Sequence, residues 1–588
     1  MKKTLALILA VAMLLVLFAA CGDKTPAPGT EATATTAPEK TAAPTPKATA
    51  PAEETSSPAT EDPGPYNFAA GKYAVDADGF PIEQYEYELP LTTTDETFTF
   101  WTAVLTPQFL PEEGYGSMPY PQGFEEYTGV NIEYQIINFD ALATSFQTML
   151  AADDLSDMMA MANSYFPTQY GDPIEEGYFA NIYDYKDFCP NYIWMATKYD
   201  PDDLRFRDSV FFTPDTIKCF WSMMSEGTMS LNVQARGDYL DKLGLDPDEI
   251  LTMDDQLEML KLMKSQLGLD YPYCAMNTID GVRTFICYDT IAQVSTRNTL
   301  TFMHHDGVVT GTNMNDNDKE LMKKFNSWWE AGVVDPNYGA YSYFDAYASR
   351  IYSGECGFAS VASNLTPNVE AAIQDPDAYL TPIHLPVLYE GQVFHFNGFN
   401  DKNSIGQTVI SAKCSNIELV VTWNDWRYSP FGSEYNTWGK EGYIWEYDEN
   451  GERVITELAI NDPMGLSNYI KLYGFDYITE GGFEHMERNY LGETGQRIHA
   501  IEQYWMDYEY DAAYDLPKGC TLNAEQQAKY YAFKDDVATY QAETYPLFFT
   551  GDKPFDEWDE YVDTLFDLGI QECLDAYQEA LDDYFATH

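Results

Sequence analysis

The chain is poor in basic residues, and this shortage excludes several classes of partner. It carries 33 Lys and Arg against 94 Asp and Glu in 588 residues, so its formal net charge is −61 at pH 7. Such an acidic surface repels the phosphates of nucleic acids and anionic lipid head groups. It also disfavours a strongly anionic ligand, unless local Arg and Lys side chains override the field. We therefore expect no nucleic-acid partner.

The chain also lacks the short motifs that mark common enzymes and metal sites. The patterns G-x-S-x-G, H-E-x-x-H, the P-loop and C-x-x-C are all missing, which argues against the corresponding hydrolases, nucleotide sites and zinc sites. Segment 313–318 (NMNDND) offers oxygen ligands at alternate positions, but it lacks the glycine and the distal glutamate of an EF-hand loop. We expect no enzymatic activity, no cofactor and no metal.

Long apolar runs are missing after the first 20 residues. The chain opens with a short basic head, an apolar run at 5–20 and then Cys21. This order predicts a secretory signal, because the run is short for a membrane span. A cysteine directly after small residues resembles a bacterial lipobox. The resemblance implies cleavage after residue 20, a lipid on Cys21, and a location at the extracellular face of the cell membrane, held there by that lipid only. A plain secretory signal and an uncleaved anchor helix are the alternatives.

Residues 21–65 form a predicted linker. They are rich in Thr, Ala and Pro and contain almost no large apolar residue. Such a segment buries too little surface to offset the entropy of ordering, so we expect it to be disordered. It would let a folded body stay attached to the membrane while standing away from it.

Apart from Cys21, eight cysteines are scattered through the folded body. An even number in an exported chain permits disulfides. Their wide scatter in a large body is equally typical of buried free thiols. Both interpretations stay open from the sequence.

Alternating apolar residues predict the first lobe. Strands are expected at 97–104, 130–137 and 158–162, with a helix that ends at Gly129 and an amphipathic helix at 141–150. This strand–helix–strand–helix–strand order predicts a parallel α/β lobe.

A second block of α/β pattern begins near residue 220. A strand at 231–233 is followed by a helix at 237–243, and a further helix is expected at 319–331. Between them, Thr252 and Asp255 have the spacing of a capping box at the start of another helix.

Six groups of segments carry a family resemblance, in the order in which the family has them. They are EEYTGVNIEYQII (125–137) with MLAADDLSDMM (149–159), EEGYFANIYDY (175–185), NVQARGDYLDKLGL (232–245) with LTMDDQLEMLKLMK (251–264), FNSWWEAGVVDPNY (325–338) with YASRIYSGECGFAS (347–360), WGKEGYIWEYDENGE (438–452), and FDEWDEYVDTLFDLGIQECLDAYQEALDDYF (555–585). Together they resemble the large, lipid-anchored extracellular solute-binding proteins of bacterial ABC importers, in the family 1-like branch associated with complex carbohydrates.

The resemblance implies a two-lobed, periplasmic-binding-protein-like (type II) α/β fold with a helical C-terminal region. The chain is expected to be a monomer whose lobes close over a ligand, with crossings near 215–230, 358–375 and 445–465. The predicted parts are the signal 1–20, the linker 21–65, lobe 1 at 66–220, lobe 2 at 221–360, a return to lobe 1 at 361–445, and a mainly helical part of lobe 2 at 446–588.

The implied ligand is an oligosaccharide that is passed to the permease subunits of an ABC transporter. Aromatic rings cover the C–H faces of sugars, and amides, hydroxyls and Arg bind their hydroxyl groups. The candidate contacts are such side chains at strand ends and crossings, and the alternative for each is an ordinary core or surface role. The candidates are Trp101, Asn163, Tyr165, Trp221, Arg236, Ser360, Asn364 and Asn397. The alternatives are an oligopeptide-binding lipoprotein, an exported polysaccharide-degrading enzyme, and a scaffold lipoprotein without a small ligand.

Overall fold

A computed structural model describes most of the chain after residue 63. The described residues are 64–167, 172–201, 204–275, 278–279, 283–295, 299–341, 350–398, 402–476 and 478–587. The predicted signal, Cys21 and nearly all of the predicted linker lie outside these ranges. Within them, no helix has both the length and the apolar character needed to cross a membrane.

The strands are short and mostly buried. In chain order they are β1 Thr97–Ala103, β2 Asn131–Ile137, β3 Met158–Ala160, β4 Phe220–Met223, β5 Leu231–Arg236, β6 Tyr273–Cys274, β7 Thr278–Ile279, β8 Val294–Ser295, β9 Phe302–His305, β10 Val308–Gly311, β11 Phe358–Ala362, β12 Leu380–Pro382, β13 Asn403–Ile410, β14 Trp445–Tyr447 and β15 Arg453–Ile455.

Helices follow most of these strands and dominate the C-terminal third. They are α1 Pro119–Thr128, α2 Leu142–Ala152, α3 Ala162–Tyr165, α4 Pro190–Trp194, α5 Leu204–Val210, α6 Gly237–Leu243, α7 Met253–Leu267, α8 Asp316–Glu330, α9 Thr366–Ala372, α10 Ile417–Trp426, α11 Pro430–Trp438, α12 Glu457–Ile460, α13 Leu466–Tyr473, α14 His485–Asn489, α15 Gly492–Met506, α16 Ala524–Thr550, α17 Trp558–Asp567 and α18 Ile570–Thr587.

The first sheet has the strand order β2-β1-β3-β13-β4. Strand β1 pairs in parallel with both β2 and β3, which confirms the predicted parallel arrangement. Strand β13 lies antiparallel between β3 and β4. Strand β13 therefore returns to this sheet from a distant part of the chain. We call the part of the molecule built on this sheet lobe 1.

The second sheet has the order β12-β5-β11-β6. Strand β5 is antiparallel to both of its neighbours, while β11 and β6 are parallel. Helices α7, α8, α16, α17 and α18 supply much of the apolar core of this half of the molecule. We call this half lobe 2.

Local signals at the helix ends match the prediction. Gly129 closes α1 with φ of 71°, a backbone conformation that glycine adopts without strain. The Thr252 side chain accepts a hydrogen bond from the Asp255 amide, and Asp255 in turn bonds the Thr252 amide. The predicted capping box of α7 is therefore confirmed.

Three crossing segments connect the lobes. The chain leaves lobe 1 after β4, returns between β12 and β13, and enters lobe 2 again between α14 and α15. The first crossing hydrogen-bonds to the second, since the Met224 amide donates to the Lys402 carbonyl at 2.6 Å, and to the segment before α14, since the Ser225 amide donates to the Phe483 carbonyl at 3.0 Å. These backbone bonds join the first two crossings to the chain that leads to the third.

The second and third crossings lie later in the chain than the resemblance implied. Strands β11 and β12 both belong to lobe 2, so the return to lobe 1 falls after residue 382 rather than at 361. The stretch from 446 to 489 packs on lobe 1, because Leu472 of α13 lies in one apolar cluster with Val104 and Met118. Within the described C-terminal part of the chain, the helices that join lobe 2 begin with α15.

The eight cysteines of the folded body are all buried free thiols.

Candidate functional site

A cleft of about 1860 Å³ lies between the two lobes. Its walls include Trp221 of lobe 1, Thr228 of the first crossing segment and Asn364 of lobe 2. The volume exceeds the range of about 300–1,000 Å³ that is usual for sites of drug-sized ligands. The cleft therefore has room for an extended ligand of several linked units.

Three of the eight predicted contact residues line this cleft: Trp221, Asn364 and Asn397. Trp221 lies on β4, and its ring is fixed because Nε1 donates to the Ser209 carbonyl at 2.8 Å. The backbone N–H of Asn397 donates to Asp515 Oδ2 at 2.7 Å. All three stay predicted ligand contacts.

Trp101 and Arg236 do not reach the cleft. Trp101 is only 1% exposed, and its ring packs against Phe146 of α2 with centroids 6.1 Å apart. Arg236 is buried and binds both oxygens of Asp238, at 2.7 and 2.9 Å, while its guanidinium covers the Tyr239 ring. Both positions are structural, so we withdraw them as contacts.

Asn163, Tyr165 and Ser360 lie near the cleft but outside its lining. The turn of α3 directs Ser164 to the cleft instead of its two neighbours, because successive helical residues point about 100° apart. Ser360 is inside β11 opposite Val233, and the cleft begins at the end of that strand.

The sequence prediction missed Glu502, a buried carboxylate at the base of the cleft. It accepts hydrogen bonds from the hydroxyls of Thr228 and Tyr490, each at 2.6 Å, and from Ser363. These donors come from the first crossing, the third crossing and lobe 2. Glu502 thus joins these parts, and no local pattern distinguishes it from the other acidic residues of the chain.

The polar lining is rich in side-chain amides, and aromatic rings accompany them. The asparagines are Asn364, Asn368, Asn397, Asn403 and Asn489, and the aromatic residues are Phe139, Trp221, Tyr490, Tyr510 and Tyr584. Asn403 Oδ1 is buried and accepts no hydrogen bond from the described residues.

No described group of three or more His, Cys, Asp or Glu side chains is placed to hold a metal ion.

A hydrogen bond between described residues joins the two lobes directly at the cleft. Tyr584 of α18, in lobe 2, donates its hydroxyl to Asp208 Oδ2 of α5, in lobe 1, at 2.7 Å. Burial, together with this bond to Asp208, raises the pKa of the Tyr584 hydroxyl, so the tyrosine stays protonated and able to donate. The bond stabilises the arrangement of the lobes seen in this structure.

We expect Tyr584→Phe to shift the ligand-free protein toward a more open form. Loss of one hydrogen bond is worth about 1 kcal/mol, which corresponds to about a fivefold change in the closed population. Solution X-ray scattering should detect this change as a larger radius of gyration. The matched control is Tyr531→Phe, because Tyr531 is exposed on α16. Equal scattering curves for the two variants would contradict a closing role for this bond.

Two α/β lobes joined by three crossings around a large cleft define a solute-binding fold of the periplasmic-binding-protein type. Residues 93–430, more than half of the chain, match the family described as bacterial extracellular solute-binding protein. The chain belongs to that family. Its members are binding proteins rather than enzymes.

Solved structures share the fold at low sequence identity. The alginate-binding protein AlgQ2 is 21% identical with a TM-score of 0.60, over 83% of this chain and 99% of that one. An HMO-binding solute-binding protein from Bifidobacterium longum infantis is 17% identical with a TM-score of 0.62, over 83% and 99%. FusA of Streptococcus pneumoniae, in complex with kestose, is 20% identical with a TM-score of 0.60, over 84% and 100%. No curated protein sequence matches the chain significantly.

Proposed function

We propose that this protein captures an oligosaccharide between its lobes and delivers it to the permease of an ABC importer. The observation that carries the proposal is the cleft lining, which combines five asparagines with five aromatic residues. Amides bind sugar hydroxyls as both donors and acceptors, and rings cover the apolar sugar faces. The saccharides for which the structural relatives are named support the same class of ligand.

Within this proposal, Trp221 and Tyr490 supply the stacking faces. Tyr490 is held rigidly, since its ring stacks on His499 at 4.1 Å and its hydroxyl donates to Glu502. Asn364, Asn397 and Asn403 bind hydroxyl groups. A fixed ring loses little entropy when a sugar stacks on it, which favours binding.

The proposal places the mature protein at the outer face of the cell membrane, as a monomer tethered by a lipid on Cys21. The supporting feature is the signal-like segment that ends at Cys21. Replacing Cys21 by Ser should release the protein into the medium, while the native chain stays in the membrane fraction. Mass spectrometry of the N-terminal peptide should then find the lipid only on the native chain.

A thermal-shift screen of the mature protein tests the ligand class. The panel should contain neutral and acidic oligosaccharides and a set of oligopeptides. A rise in melting temperature with oligosaccharides, without release of product, would support the proposal. Stabilisation by peptides alone would replace it with peptide binding, and cleavage of a glycan would replace it with an enzymatic role.

A further inference from the structure

One basic side chain of the cleft has no hydrogen-bond or ion-pair partner among the residues that the structure describes. Four described cations line the cleft: Arg283, Lys471, Arg488 and Lys518. Arg283 binds Asp515 at 2.7 Å, Arg488 donates to backbone carbonyls, and Lys518 also interacts within the protein. Lys471 forms no hydrogen bond or ion pair with any residue that the structure describes. It is the cation left for a ligand.

Lys471 is half-buried on the cleft-facing side of α13. Leu466, Ser467 and Ile470 of the same helix also line the cleft. Burial lowers the pKa of Lys471, although Asp476 opposes the effect. Asp476 is itself buried and lies beyond ion-pair distance, and its burial raises its own pKa to about 7. It therefore compensates the lysine only partly.

This half-buried ammonium group has lost part of its hydration without gaining an ion-pair partner among the described residues, which is unfavourable. An anion on the ligand would supply that partner. The electrostatic attraction would be strong because the local dielectric constant is below that of water.

The described acidic groups of the cleft are all engaged by other residues of the protein, and none of them forms an ion pair with Lys471. Each has a partner within the protein: Asp200 with Lys402, Asp208 with Tyr584, Asp511 with His395, Asp515 with Arg283, and Glu502 with three hydroxyls. The many acids of the outer surface are screened beyond about 8 Å at physiological ionic strength. Local groups therefore decide which charge the cleft accepts.

We propose that the oligosaccharide bound by this cleft is acidic, and that Lys471 pairs with a carboxylate on one of its sugar units. The inference rests on the oligosaccharide function proposed above and names the chemical class of that ligand. It also identifies Lys471 as the residue that selects an acidic over a neutral sugar.

Calorimetry with matched pairs of oligosaccharides tests the inference. Suitable pairs are trigalacturonate and sialyllactose, each with its carboxyl-reduced counterpart. The mature wild-type protein should bind the acidic member of a pair at least tenfold more tightly, and added salt should reduce the preference. Tighter binding of the neutral members would overturn this inference but leave the oligosaccharide function standing. Binding of neither series would overturn both.

Variants of Lys471 test whether this side chain causes the preference for the acidic oligosaccharide. Lys471→Met removes the ammonium group but keeps most of the apolar stem. It should therefore weaken binding of the acidic member about tenfold and leave binding of the neutral member unchanged. Lys471→Arg should retain the preference. Lys413→Met is the matched control, because Lys413 is exposed and pairs with Asp153. An unchanged preference in a folded Lys471→Met protein would contradict the assignment. If that variant does not fold, the wild-type comparison decides whether the ligand is acidic, and Lys471→Arg decides the role of the side chain.

Discussion

Arg427→Met is expected to lower the free energy of unfolding by about 3–5 kcal/mol, the usual effect of removing one partner of a buried ion pair. Arg427 donates to Glu480, whose side chain is 0% exposed. The guanidinium also lies over the Trp423 ring, 3.7 Å from its centroid. In the variant, Glu480 loses the guanidinium but still accepts a hydrogen bond from the Thr408 hydroxyl. A buried carboxylate would then lack its counter-charge.

Urea denaturation of the mature protein and its variants measures this effect. The matched control is Lys413→Met, whose pair with Asp153 has side chains 56% and 68% exposed. Exposed pairs contribute below about 1 kcal/mol, so the control should unfold almost as the wild type does. The double variant Arg427→Met, Glu480→Gln should recover part of the lost stability, because the uncompensated charge is gone. Similar midpoints for Arg427→Met and the control would contradict a stabilising role for this pair.

Features decided by nearby residues could be predicted from the sequence. Strands β1 and β2, the glycine end of α1 and the capping box of α7 all follow from patterns spanning fewer than ten residues. The parallel order of β1, β2 and β3 follows from the helices between them. The antiparallel strand β13 could not be predicted in the same way. Its partners β3 and β4 lie far away in the sequence, and the pairing depends on how the whole lobe folds.

The position of a strand in its sheet explains why Trp221 is in the cleft and Trp101 is not. Strand β1 lies between β2 and β3, whereas β4 is the edge strand next to β13. A tryptophan in the interior of the sheet packs against a covering helix, as Trp101 does on Phe146. At the edge, Trp221 reaches the gap between the lobes. Both residues have the same local strand pattern, so the sequence alone does not separate them.

Arg236 and Glu502 illustrate the same limit for charged residues. Arg236 is a predicted ligand contact, yet in the structure it forms an ion pair with Asp238 inside lobe 2. Glu502 had no distinguishing signal, because its three hydroxyl donors come from separate parts of the chain. For a buried charge, the identity of its partners decides its role, and those partners are distant in sequence.

Trp221→Ala is expected to weaken oligosaccharide binding about 30-fold, which corresponds to the roughly 2 kcal/mol typical of an anchoring aromatic contact. The ring is partly exposed in the cleft and fixed by its hydrogen bond to the Ser209 carbonyl. A sugar stacked on it would lose that apolar surface in the variant. Trp221→Phe keeps a smaller ring, so it should weaken binding only about threefold.

Trp101→Phe is the matched control, because it changes a tryptophan of the same sheet that does not touch the cleft. It should leave the affinity within about twofold of wild type and lower the free energy of unfolding by about 1–3 kcal/mol, since a smaller ring leaves space in a packed core. Calorimetry with the best ligand from the screen, together with urea denaturation, separates the two effects. If Trp101→Phe weakens binding more than Trp221→Ala does, the ligand lies elsewhere than in this cleft. If neither changes the affinity, stacking on Trp221 is not part of recognition, and the amide side chains must account for binding.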